Sequence, residues 1–126
     1  MIKITTDSTC DLPRSILEQY GITVLPLGIV KGGTLYRDGV DITIEDIAAH
    51  VNAGGELTVT NAVNIADYEE TFRRVRETCD GVIHINLGMN FSSCHQNAKL
   101  AAEELSEVYV FDSANLSMGQ GLLVLA

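Results

Sequence analysis

The chain has 126 residues, 46% of them hydrophobic and 20% charged, and carries a formal net charge of −9. That length builds one domain whose core needs no disulfides. With 8 Lys and Arg against 17 Asp and Glu, it lacks the basic face that a nucleic-acid backbone or an anionic membrane surface requires, so both are excluded as partners.

Cys10, Cys79 and Cys94 are odd in number and scattered, without a C-x-x-C pair or a metal-ligand cluster. They read as free thiols of a reducing compartment, and no metal or cofactor is called for. Met1 leads directly into a β-like run, without the basic segment and apolar core of a signal peptide. A cytoplasmic protein with no membrane insertion is expected.

Taken in order, "IKITTDS" has the β-branched richness of a first strand, ending at Asp7-Ser8. "STCDLPRSILEQYG" predicts a helix with Thr9 or Asp11 as N-cap, Pro13 in its first turn and Gly21 at its end. "ITVLPLGIV" predicts the next strand, "KGG" a turn, and "TLYRDGVDI" an extended return with a second turn at Asp38-Gly39. Thr43 with Asp46 opens a helix to about Asn52, closed by "AGGE".

"LTVTNAVN" reads as a strand end or loop. Ile65, Tyr68, Phe72, Val75 and Cys79 then fall at helical steps, with charges between them. "VIHI" predicts a buried strand. Ser92 or Ser93 starts a helix with Ala98, Ala101, Ala102 and Leu105 as its apolar stripe. "VYVF" is a further strand, and "DSANLSMGQGLLVLA" opens a last helix. Strands alternating with helices predict an α/β, doubly wound, mainly parallel sheet with helices on both faces. The final "GLLVLA" is apolar and uncapped, which predicts that residues 1–126 form one half of something larger, able to self-associate through that end.

Several residues carry chemistry on their own terms. "TNAVN" (60–64) and "GMNFSSC" (88–94) each precede a predicted helix N-terminus, where free amides and the dipole favour an anion. Thr60 and Ser92 hydroxyls and the Asn61 amide can donate to a carboxylate. The same positions also suit plain capping, by Asn64 for one helix and by Ser92 or Ser93 for the next. Cys94 beside His95 suggests an activated thiol, yet helix neighbours point apart and no third orienting group is visible. His84 reads as a hydrogen-bonded core histidine, His50 as a favourable charge at a helix C-terminus. Asp7 and Ser8 end the first strand, where open α/β sheets place their sites and a metal-binding or phosphoacceptor aspartate is one reading; turn support is the stronger one, for them and for Asp112. No residue is put forward as catalytic.

Four stretches together resemble the DegV family of bacterial proteins: "TTDSTCDLP" (5–13), "YGITVLPLGIVKGGTLYRDGVDIT" (20–43), "HQNAKLAAEEL" (95–105) and "VFDSANLSMGQGLLV" (110–124). The resemblance implies the N-terminal α/β domain of a two-domain fatty-acid-binding protein, with the C-terminal domain absent from this chain. It further implies a long-chain fatty acid as ligand and a fatty acid kinase as partner, which phosphorylates the acyl carboxylate. Mapped onto the family's carboxylate-binding segments, Thr60, Asn61, Ser92 and Ser93 become ligand-binding, and Leu87, Phe91 and Ser113 pocket-lining. Asn61, Ser93 and Cys94 depart from the family's serine, glycine and threonine. Those departures leave open an enzyme or transfer protein acting on a different small anion through the 86–95 loop.

Overall fold

The computed structural model describes all 126 residues. Four parallel strands form the main sheet: β1 (Ile2–Asp7), β2 (Thr23–Leu25), β6 (Gly81–Asn86) and β7 (Val108–Asp112), in the order β2-β1-β6-β7. Three shorter strands, β3 (Gly28–Lys31), β4 (Thr34–Arg37) and β5 (Val59–Asn61), form an antiparallel sheet in the order β4-β3-β5. The helices are α1 (Arg14–Tyr20), α2 (Ile44–Asn52), α3 (Ile65–Arg76), α4 (Cys94–Glu103) and α5 (Met118–Leu125).

The expected doubly wound parallel sheet is present, and its pleat sorts the core. On β6, Val82, His84 and Asn86 are fully buried on the face covered by α3 and α4, where Tyr68, Phe72, Val75, Ala98 and Ala101 pack. The opposite face carries a smaller cluster in which Ile4 and Ile85 meet Leu12, Leu17 and Val124 of the α1 and α5 layer. Alanines on α4 allow close approach to α3 and the sheet. On α5 the same purpose falls to Gly121: a Cβ there would lie 2.7 Å from the Cys10 carbonyl oxygen.

Four local expectations are corrected. "ITVLPLGIV" is two strands in two sheets, because Pro26 has no N–H for a ladder and Leu27 N turns instead to Ser8 Oγ at 3.1 Å. Thr9 and Asp11 do not cap α1, which starts after Pro13 without a side-chain cap. Thr9 Oγ1 donates to Gln120 Oε1 (2.8 Å) and Ser117 Oγ donates to Asp11 (2.6 Å), so both tie the first turn to the α5 end. The α3 stripe is shorter than its periodicity, since Ile65 is exposed and Cys79 lies past the helix end. His50 is not freely exposed at the end of α2: its ring packs under Gly55, with Nε2 buried and unpartnered. The caps of α2 and α3 follow the sequence, with a complete Thr43–Asp46 capping box on α2 and Asn64 Oδ1 accepting from Asp67 N at 2.8 Å on α3, whereas Ser93 before α4 makes no side-chain cap bond.

Candidate functional site

In this strand order the chain leaves β1 toward β2 on one side and, later, leaves β6 toward β7 on the other. The C-terminal ends of β1 and β6 therefore diverge at the switch point where open parallel sheets hold their ligands. Asp7 ends β1 there, Asn86 ends β6, and the 87–93 loop runs from Asn86 to α4.

Asp7, His84 and Asn86 are fully buried, as is Tyr68 of α3 above them. Tyr68 OH donates to Asp7 Oδ1 at 2.5 Å, and Asn86 Nδ2 to Asp7 Oδ2 at 3.0 Å. The Leu87 backbone N–H donates to the same Oδ2 at 3.0 Å. His84 sits beside them, Nε2 lying 3.0 Å from Asn86 Nδ2 and 3.3 Å from Asp7 Oδ1, with Nδ1 2.7 Å from Thr5 Oγ1. Burial pushes the Asp7 carboxyl up, but the His84, Tyr68 and Asn86 interactions outweigh it and hold the group below its ordinary range. Burial, and then the Asp7 charge, push the Tyr68 phenol upward. Asp7 is thus an ionised carboxylate whose lone pairs are taken by internal donors.

That carboxylate anchors the loop. Leu87 N is held by Asp7, Gly88 N by the Asn115 carbonyl (2.8 Å) and Met89 N by Asp112 Oδ1 (3.0 Å). Asp112 also accepts from Ala114 N at 2.9 Å. The Ala114 bond, helped by Met89 and His95 and opposed by slight burial, lowers the Asp112 carboxyl. Phe91 N closes a turn onto the Gly88 carbonyl (2.9 Å) and its ring covers Gly88, where a Cβ would lie 2.7 Å from the ring.

The candidate ligand-binding residues follow the pinned stretch. Ser92 Oγ accepts from Cys94 N at 3.2 Å, which leaves its hydroxyl proton for another acceptor. Ser93 precedes α4, exposed and without a side-chain cap bond; its φ of −76° and ψ of 1° are open to any residue, so serine in place of the family's glycine introduces no strain. Thr60 and Asn61 are exposed on β5, paired with Ile29 and Gly28. The two segments are joined by Asn97 of α4, whose Nδ2 donates to the Val63 carbonyl at 2.9 Å.

Of the expected lining residues, Phe91 is 63% exposed, Leu87 lies in the core cluster, and Ser113 is buried in its own turn, bonded to Asn115. Cys94 is fully buried and its neighbour His95 turns to Asn86, so thiol and imidazole diverge. No group of three or more His, Cys, Asp or Glu side chains is placed to hold a metal, and no helix is long and apolar enough to cross a membrane. Sequence reading took Asp7 as turn support and overlooked Tyr68 and Asn86 as polar partners. The signal was the pair His84 and Asn86, two polar residues at alternate positions of an otherwise apolar strand.

The pinned loop lies at the switch point of a parallel α/β sheet, the place where sheets of this class hold ligands, and ends in hydroxyls at a helix start. The family model for DegV, described as an uncharacterised protein family, matches residues 1–126, and the chain belongs to that family. A DegV domain-containing protein of Clostridium perfringens is 36% identical over 98% of this chain and 45% of its own length. One from Deinococcus radiodurans is 33% identical over 98% and 44%. The chain thus spans about half the length of the curated relatives it matches. Among solved structures, a fatty-acid-binding DegV family protein from Thermus thermophilus superposes with a TM-score of 0.91 at 34% identity, covering 98% of this chain and 45% of that one. A stearic-acid-binding protein from Eubacterium ventriosum gives 0.88 at 32%, with the same coverage.

Proposed function

We propose that the protein binds a long-chain fatty acid by its carboxylate and does not turn it over. The observation that carries this reading is the close likeness, at 34% identity, to the Thermus thermophilus protein described by its fatty-acid binding. In this reading Ser92 and Ser93 donate to the carboxylate, with Thr60 and Asn61 completing the shell across the Asn97–Val63 link. The first amides of α4 support the site: those of His95 and Gln96 have no carbonyl partner, and they stand at the positive end of the helix dipole. Phe91 and Leu87 start the apolar wall, and Ser113 backs it. No lysine or arginine is needed from residues 86–98, which suits an acidic chain.

The tail requires more than this chain. Two grooves, about 320 Å³ between α4 and β7 and about 230 Å³ beside α3, include none of the four candidate ligand contacts. A second wall from a further domain, as the relatives' greater length suggests, would enclose it. The carboxylate would remain at an exposed loop, where a fatty acid kinase could phosphorylate it. The three free cysteines support a reducing, cytoplasmic setting. The bare chain would self-associate through exposed Met118, Leu122 and Leu125 of α5 and Phe111 of β7; a monodisperse monomer in light scattering would refute that part.

Native mass spectrometry without detergent tests the ligand class. An excess mass matching a fatty acid, lost on denaturation, supports the reading. Ser92→Ala should then weaken dodecanoate binding by about 1.5–3 kcal/mol, the range for a lost bond to a charged group. Unchanged affinity in titration calorimetry would remove Ser92 from the site.

A further inference from the structure

Between the buried Asp7 and the surface loop stands one titratable side chain that the binding scheme leaves without a role. His95, in the first turn of α4, is half-buried, and its Nδ1 lies 3.2 Å from Asn86 Oδ1. The orientation of the Asn86 amide is dictated from below. Its Nδ2 must face Asp7 Oδ2 (3.0 Å) and the Tyr68 oxygen (3.1 Å), because an ionised carboxylate only accepts. Oδ1 is therefore the atom turned toward His95, and a carbonyl oxygen only accepts as well. Nδ1 must carry the proton, so Nε2 of the neutral ring is a bare lone pair. Nε2 bonds nothing in the chain, and His50 Nε2 is the sole buried side-chain polar atom without a partner, so His95 Nε2 is open to solvent.

Protonation of this ring breaks no internal bond. Nδ1–H continues to donate to Asn86, while Nε2 changes from acceptor to charged donor. Four ionisable groups act on it: Asp112 at the end of β7, Lys99 one turn along α4, His84 on β6 and Asp7 on β1. Burial is the largest influence and lowers the His95 pKa, Lys99 and His84 lower it further, and Asp112 and Asp7 oppose them. The free protein at neutral pH therefore holds His95 neutral, and a further anion nearby favours the cation.

We propose that His95 is the titratable counter-charge of the bound carboxylate, Nε2 taking a proton from solvent as the anion settles beside it at the start of α4. Segment 86–98 contains neither lysine nor arginine, so His95 is the one side chain there able to become cationic. The inference rests on the fatty-acid reading above and adds to it a proton taken up with the ligand.

The test combines nitrogen NMR of histidine-labelled protein with titration calorimetry of dodecanoate, in phosphate and in Tris, between roughly pH 6 and 8. In the free protein, neutral His95 should show the Nδ1–H tautomer; an Nε2–H tautomer overturns the proposal whatever the ligand does. Above the His95 pKa, dodecanoate binding should weaken by up to about tenfold per pH unit, with proton uptake approaching one per ligand. His95→Gln should flatten the profile. Asp112→Asn, which removes the neighbouring carboxylate, should move the weakening to lower pH. A wild-type slope retained in His95→Gln refutes the proposal and leaves the fatty-acid reading standing. No dodecanoate binding at any pH sinks the carrier reading, and the proposal with it.

Discussion

Replacing Asp7 by asparagine keeps shape and volume and changes only the pattern of donors and acceptors. The amide would set its oxygen where Oδ2 was, keeping the bonds from Leu87 N and Asn86 Nδ2, both 3.0 Å. Its NH2 then faces the Tyr68 hydroxyl, which had donated to Oδ1 at 2.5 Å and must turn its proton away inside a sealed site. One bond to a charged group is lost, about 1.5–3 kcal/mol, and two others lose their ionic partner. Against this stands the desolvation that a neutral amide avoids, which can make removal of a buried charge neutral or even stabilising. The lowering of the Asp7 carboxyl despite its burial says that the donors win. Asp7→Asn should therefore destabilise by about 2–4 kcal/mol, within a total of about 5–15 kcal/mol for a domain of this size. The gap should depend on pH. A carboxyl held below its ordinary value of 3.8 contributes stability that is present above that value and lost as pH falls through the folded one. Lowered Asp41, Asp46 and Asp112 shape the acid limb of both proteins, so the difference between them isolates Asp7. Urea unfolding followed by circular dichroism at neutral pH and in acid reads both effects. A variant within about 0.5 kcal/mol of wild type at neutral pH, or a gap that does not narrow in acid, would refute the argument.

Gly121→Ala places a methyl 2.7 Å from the Cys10 carbonyl oxygen and 3.0 Å from Leu12 Cδ2; overpacking of about 1–3 kcal/mol should exceed the helix-propensity gain of about 1, and thermal melting should show a net loss. Thr43→Ala removes the hydroxyl that accepts from Asp46 N at 3.2 Å and should cost about 0.5–2 kcal/mol in the same assay. Cys94, fully buried, should react with a thiol reagent at the rate of unfolding, while half-buried Cys79 reacts faster; rapid labelling of Cys94 in the folded protein would contradict the sealed core.

Parallel alternation is legible in the sequence because helical periods separate the strand runs, most plainly in α3, with Tyr68, Phe72 and Val75 on one face and Asn64 capping its start. The antiparallel sheet is not. Its strands have three or four residues, and β3 follows β2 across Pro26 in an unbroken apolar run, so periodicity carries no boundary there. The candidate loop is legible as a resemblance and as a hydroxyl-rich helix start. Its foundation is not, because Asp7, Tyr68 and Asn86 are joined across separations of 61, 79 and 18 residues. Only register reveals them: Thr5 opposite His84 and Asn86 opposite Asp112 bring the polar ends of three strands level.

That register also explains how an acidic chain could hold an anion. A buried carboxylate beneath an anion site would repel the ligand if its charge reached the loop unscreened. Here Asp7 spends its lone pairs on Tyr68, Asn86 and Leu87 N, and each of those bonds turns a positive end inward. The Asn86 amide relays the polarity, presenting its carbonyl oxygen to His95 and so leaving that ring the proton-accepting edge outward. Asp112 is spent likewise on Met89 and Ala114 amides. Both carboxylates therefore serve as anchors for backbone N–H groups that would otherwise be orphaned, and what the loop offers outward is hydroxyls, free amides and one imidazole. At a pH where His95 stays neutral even with ligand bound, raising ionic strength should change dodecanoate affinity little, because both carboxylates are internally compensated and the remaining donors are neutral dipoles. A steep salt dependence would mean instead that an exposed cation outside the loop, such as Lys99, carries the attraction.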